Sequence, residues 1–139
     1  MVPTTIDNDA DVAAYAEFQS GAAVGCRDLL YVQASTGVGA GAEPALAEAG
    51  SALGRAIGEV SNVLNPSLIV IGGELAAAID LLIEPLRTSL RRAAMQVIAN
   101  DLEVRAGQLG TRAELVGAAA LCAAHVHGDE PAARVRLQI

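Results

Sequence analysis

The chain has no lysine and no tryptophan, and its aromatic residues are two tyrosines and one phenylalanine in 139 positions. With aromatics at 2%, the core has to be built from Leu, Ile, Val and Ala. Such a core gains its density from close approach of backbones rather than from large rings. Basic charge is scarce as well. Nine arginines stand against sixteen acidic residues, a net charge of -7. That balance excludes the basic footprint that nucleic-acid binding requires, so no direct nucleic-acid contact is expected. The two cysteines, Cys26 and Cys122, are too few and too far apart for a disulfide framework, and suit free thiols in a reducing compartment. No apolar run approaches the ~20 residues of a membrane span. The first residues lack the basic start and apolar centre of a signal peptide. A cytoplasmic chain with no membrane partner is expected. Arginine without lysine, beside abundant alanine, reads as the coding bias of a GC-rich genome.

What is present is a hydrophobic fraction of 53%, enough for a globular core. A chain of this length forms one domain and buries roughly 68–70% of its unfolded surface. The main unit predicted is residues 1–127, with 128–139 as a polar tail.

The organising stretch is Asn65-Pro66-Ser67-Leu68-Ile69-Val70-Ile71-Gly72-Gly73-Glu74. Its aliphatic run lacks polar alternation, as expected of a strand covered by helices on both faces. Pro66 forces the residue before it out of helical geometry, and Gly72-Gly73 allows a sharp exit into another helix. Upstream, Pro3–Asp7 suggests a short strand, and Ala10–Val24 a helix capped by Asn8 or Asp9 and closed at Gly25. Asp28–Ala34 suggests a second strand, leading into the glycine-rich Ser35–Gly41.

Glu43–Leu64 is the clearest helix, with Leu46, Ala49, Leu53, Ile57, Val60 and Leu64 on one apolar face. Gly50, Gly54 and Gly58 run beside that face. Each glycine costs about 1 kcal/mol in a helix interior, so three imply close contact with the sheet, a neighbouring helix or a second copy. Leu75–Val97 is predicted helical, with Pro85 either kinking it or marking its first turn. Leu102–Ala106 alternates apolar and charged residues, as an edge strand does. Thr111-Arg112-Ala113-Glu114 has the spacing of a capping box, opening a helix with Leu115, Ala119, Cys122 and Val126 inward. The order is that of an α/β domain with a parallel sheet flanked by helices.

Three groups of residues offer chemistry. Asp7, Asn8, Asp9 and Asp11 cluster where a strand would turn into a helix. A carboxylate there suits a general base and an amide suits a polyol, although Asp and Asn are also the preferred helix caps. Successive backbone N–H groups in Thr36–Gly41 could cradle phosphates; no lysine follows, and the glycine spacing is neither Walker nor GxGxxG. Cys122, His125 and His127 have ligand chemistry, but on a helix His127 points away from the other two, and no second ligand pair accompanies them. No metal is assigned to them.

In combination these segments resemble the ROK family of repressors and sugar kinases. The resemblance runs from Thr5-Ile6-Asp7-Asn8-Asp9-Ala10-Asp11 through Asp28-Leu29-Leu30-Tyr31-Val32 to Thr36-Gly37-Val38-Gly39-Ala40-Gly41. It resumes from Leu53-Gly54-Arg55-Ala56 through Asn65-Pro66 and Ile69-Val70-Ile71-Gly72-Gly73 to Leu115-Val116-Gly117-Ala118-Ala119. It implies an actin-like, ribonuclease H-like ATPase lobe. Asp9 would be the catalytic base and, with Asn8, a sugar contact. Thr36, Gly37, Gly72 and Gly73 would border the nucleotide, which is ATP with magnesium. It also implies a sugar ligand and a homo-oligomer. The family's first phosphate loop, its Glu and His sugar contacts, its cysteine-rich zinc motif and the repressors' helix-turn-helix have no counterpart. Ser35 stands where the family usually has glycine, and Asp11 where it has asparagine. The expectation is a truncated lobe of a sugar-responsive transcriptional regulator or sugar kinase, lacking an internal stretch, that does not turn over alone. The alternatives are an ATP-dependent hexose kinase and a degenerate interaction module.

Overall fold

The structure is a computed structural model that describes residues 7–34 and 43–127. The predicted strand at Pro3–Asp7, the glycine loop with Thr36 and Gly37, and the tail lie outside or reach beyond those residues.

The described elements run in the order α1 (Asp9–Ser20), β1 (Leu29–Gln33), α2 (Glu43–Leu64), β2 (Leu68–Gly72), a 3-10 helix (Glu74–Ala78), α3 (Ile79–Ala93), α4 (Gln96–Asp101), β3 (Glu103–Ala106), a 3-10 turn (Gly110–Arg112) and α5 (Ala113–His127). Among the described residues the sheet has three strands in the order β1-β2-β3, and both pairings are parallel. Leu68 lies opposite Leu29 and Glu103 in the register. The aliphatic run therefore becomes the central strand, and every one of its residues is buried.

Period-two alternation along β2 divides the core into two layers. Leu68 and Val70 join Ala13, Ala14, Tyr31 and Ala113 beneath α1 and α5. Ile69 and Ile71 join Leu30, Ile57, Leu86, Leu90 and Val104 beneath α2 and α3. β3 is the edge strand that its alternation predicts: Val104 points inward, while Glu103 and Arg105 remain exposed. Glu103 grips the Arg105 guanidinium at both Nε and Nη2, each at 2.7 Å. That hydrogen bond holds the Glu103 carboxyl below its usual range. Arg105 Nη1 in turn donates to the Ala22 carbonyl at 2.9 Å, tying the sheet edge to the turn after α1.

The glycine stripe of α2 is used within the chain. A Cβ at Gly50 would lie 2.7 Å from the Leu82 carbonyl oxygen, and one at Gly58 would lie 2.8 Å from the Ala93 Cβ. One at Gly54 would fall on the Leu86 carbonyl oxygen. All three partners belong to α3, so α2 and α3 meet backbone to backbone. The stripe is not available as a face for a second copy.

Four elements differ from the sequence expectation. First, α1 ends at Ser20, with Gly21 rather than Gly25 as its C-cap. The cause is Glu17, whose carbonyl receives the N–H of both Gly21 and Ala23 while its side chain takes that of Ala22. Second, the helix predicted over 75–97 is broken into a 3-10 helix, α3 and α4. The break at Ala94-Met95 is held from outside by Asn62, which donates to the Ala93 carbonyl at 3.0 Å and accepts from the Met95 N–H at 2.7 Å. Pro85 lies inside α3, beyond its first turn. Third, the capping box does not form, because Thr111 lies in the 3-10 turn and Glu114 bonds to Gln33 instead.

Fourth, the inward face of α5 is rotated. Leu115 and Val126 are 74% and 83% exposed, and Ala119 and Cys122 are also exposed. The buried positions are Ala113 and Gly117, because the helix approaches α1 so closely that a Cβ at Gly117 would fall on the Val12 carbonyl. Backbone contact took precedence over the larger apolar side chains.

Candidate functional site at the carboxyl edge of the sheet

Parallel strands place the start of each following helix at the carboxyl edge of the sheet, where ligands of open α/β folds bind. Besides α2, which follows β1, three helical starts are of interest here. α1 meets α5 at Val12, whose carbonyl lies where a Cβ at Gly117 would fall, and Asn8-Asp9 stands one turn before that contact. The 3-10 helix follows β2 directly, and α5 follows β3 after a short loop.

Asn8 is the N-cap of α1, its Oδ1 accepting from the Ala10 N–H at 2.9 Å. The capping reading therefore holds for Asn8. It leaves the two donors of the side-chain amide without a bond among the described residues. Asp9 is exposed, and its Oδ1 accepts from the same Ala10 N–H at 2.8 Å. Asp7 accepts from the Asn8 N–H. The Asp11 carboxyl is raised from its ordinary value, first by burial and then by the charges of Asp7 and Asp9.

Gly72 and Gly73 follow the central strand. Gly73 has φ +81°, a left-handed value that L side chains avoid, and opens the turn into the 3-10 helix. A Cβ there would also lie 2.6 Å from the Ala34 carbonyl oxygen. The space beside Gly72 is filled by the Tyr31 hydroxyl. Both glycines are thus required by the chain itself. Thr36 and Gly37 lie outside the described residues.

Sequence reasoning missed Tyr31, Gln33 and Glu114. Tyr31 and Gln33 alternate onto the α1/α5 face of β1, a signal available in the strand's period of two. Glu114 was assigned to a cap and instead accepts from Gln33 Nε2 at 3.0 Å. Burial, followed by the charges of Glu17, Glu114 and Asp9, pushes the Tyr31 phenol up to about 12. Since the folded value lies above the usual 10, the neutral phenol is the form the fold stabilises. That stability is complete below pH 10 and is lost as pH rises toward about 12. Alkaline unfolding followed by circular dichroism should show this loss, and Tyr31→Phe should flatten it.

Asp9, Asn8, Gln33 and Glu114 present chiefly carboxylate and amide groups, which suit the hydroxyls of a polyol. The described residues contain no group of three or more His, Cys, Asp or Glu positioned to hold a metal. Magnesium fits only as the companion of nucleotide phosphates, its usual mode beside one or two carboxylates. Cys122, His125 and His127 are exposed on the last turns of α5, and His127 Nδ1 is engaged with the Ala123 carbonyl at 2.7 Å.

The ROK family model matches residues 1–43 and 40–125, dividing where the glycine loop gives way to α2. The chain is 38% identical over 65 residues to a glucokinase of Halalkalibacterium halodurans, covering 47% of this chain and 20% of that one. It superimposes on a ROK family transcriptional regulator, a homologue of the E. coli MLC protein, with a TM-score of 0.71 at 16% identity. That match covers 81% of this chain and 50% of the regulator. It superimposes on a ROK family glucokinase from Streptomyces griseus, solved with glucose and AMPPNP, with a TM-score of 0.67 at 18% identity. Here 86% of this chain and 68% of that one are covered. The chain thus spans a fifth of the curated relative and between half and about two thirds of these two solved structures. The parallel sheet and its helical layers are those of an actin-like ROK lobe.

Proposed function

Because the chain belongs to the ROK family, we propose that it is a sugar-recognising lobe that does not transfer phosphate by itself. Asn8 and Asp9 contact the sugar, with Asp9 in the position of the base that would take a hydroxyl proton. Thr36, Gly37, Gly72 and Gly73 form the nucleotide side, toward ATP carried with magnesium. What supports this reading is Asp9, an exposed carboxylate at the start of α1, one turn before α1 meets α5 at Val12 and Gly117. Phosphoryl transfer depends on groups that position and neutralise the phosphates from several sides. The described residues supply chiefly carboxylates and amides at this edge, beside Arg112 in the turn before α5.

Both a regulator and kinases stand among the similar proteins. A lobe that senses a sugar without turnover favours the regulatory role. A cytoplasmic homo-oligomer belongs to the same reading, associating through a face other than the glycine stripe.

Calorimetry with D-glucose, alone and with ATP and magnesium, tests the proposal. Heat is expected with glucose for the wild type, with affinity reduced about tenfold in Asp9→Asn, equivalent to 1.4 kcal/mol or one charge-assisted hydrogen bond. No glucose-dependent ADP release is expected. ADP release from the chain alone would overturn the claim that it does not transfer phosphate, and absence of glucose heat would overturn sugar recognition.

A further inference from the structure

Two buried side-chain polar atoms lack a hydrogen-bond partner among the described residues: Ser61 Oγ and Gln33 Oε1. Ser61 lies inside α2, away from the candidate site. Gln33 is the last residue of β1, in register with Gly72, on the side of the sheet that carries Tyr31. Its amide orientation is determined by its neighbour. Nε2 donates to Glu114 Oε1 at 3.0 Å, and the flipped amide would set oxygen against a carboxylate. Glu114 therefore holds the Gln33 oxygen in one direction, where it meets no donor among the described residues. Gln33 as a residue is half-buried, but this oxygen is shielded from solvent, and such groups call for an explanation in a bound ligand, an ordered water or strain. Leu or Met would fill the same space without an unpaired oxygen.

We propose that Gln33 is a ligand-contacting residue of this edge, its amide oxygen reserved for a hydroxyl donor of the sugar, with Glu114 as the positioning residue that fixes the amide. This rests on the sugar-binding reading above and extends it to the end of β1. The pair also gives the edge a chemical preference. Gln33 Oε1, Glu114 Oε2 and the Asp9 carboxylate are all acceptors, so a ligand is held there by the hydrogens it donates. A sugar hydroxyl satisfies this requirement.

The test combines thermal unfolding with D-glucose titration of the wild type, Gln33→Met and Glu114→Gln. Gln33→Met is expected to raise the melting temperature of the unliganded chain, because an unpaired acceptor is replaced by an apolar group of similar length. It is also expected to weaken glucose binding about tenfold and to remove most of the glucose-induced rise in melting temperature. Glu114→Gln, which frees the amide to rotate, is expected to weaken glucose less than Gln33→Met. A Gln33→Met chain that melts lower than wild type would show the amide to be structural and overturn the proposal. Unchanged glucose affinity in that variant, with glucose binding intact in the wild type, would overturn Gln33 alone and leave sugar recognition standing. A wild type that does not bind glucose would overturn both.

Discussion

Gly54→Ala is expected to destabilise the fold by roughly 2 kcal/mol, opposite in sign to the change expected for an isolated helix. Alanine gains about 1 kcal/mol over glycine in a helix interior. Here the new methyl would fall on the Leu86 carbonyl oxygen of α3. Its obstacle is backbone, which cannot rotate aside as a side chain does. Overpacking in a filled core typically costs about 1–3 kcal/mol, and a collision with backbone belongs at or above the upper end of that range. Denaturant unfolding of Gly54→Ala beside Gly25→Ala separates the two causes. Gly25 has open space around its Cβ position and strain only from its φ of +80°. A Gly54→Ala chain as stable as wild type would mean that α2 and α3 are further apart than the structure has them.

Glu17→Ala is expected to have the larger effect, about 3–5 kcal/mol, from the loss of two charge-assisted hydrogen bonds and the burial of two unpaired donors. Glu17 is fully buried within α1. Its Oε2 accepts from the Ala22 N–H at 2.7 Å and its Oε1 from the Leu109 N–H at 2.8 Å. One carboxylate thus joins the turn after α1 to the loop between β3 and α5. The same carboxylate excludes side chains from its surroundings: a Cβ at Gly107 would lie 2.8 Å from Oε1, and one at Gly21 would fall on Oε2. Glu17→Gln is not conservative in this setting. Its amide offers one acceptor where two N–H groups converge, and its NH₂ would face a second donor. It should recover only part of the loss. Comparing chemical denaturation midpoints of the two variants checks this. Equal stability of wild type and Glu17→Gln would show that only shape matters at the position.

Glu17 also shows how far the sequence could be read. A glutamate in an alanine-rich helix reads as a solvated charge, since charged residues are rarely buried unless paired. Its partners here are two backbone groups, one of them 92 positions away. No local pattern announces such a pair. The end of α1 depends on the same buried carboxylate, which takes the Ala22 N–H and so closes the helix at Gly21 rather than Gly25.

The candidate site divides along the same line. Asn8 and Asp9 could be read from residue type and from their place before a helix, because N-capping is a local event. Gln33 and Glu114 could not. They come from β1 and α5, 81 positions apart, and meet only because both elements reach the carboxyl edge on the same face of the sheet.

By itself the sequence determined the α/β class, the buried central strand, the edge position of β3 and the full extent of α2. Each depends on periodicity or on a turn residue within a few positions. It also signalled, through glycines recurring every fourth residue, that α2 must meet another backbone. Only the tertiary structure decided which one. α3 took that face, and so closed it to a second copy. The same choice by close contact turned α5 onto Ala113 and Gly117 and left Leu115 and Val126 outside. In a chain with few aromatics, small residues select the contacting faces, because the nearest approach of two helices is set by the smallest side chains between them.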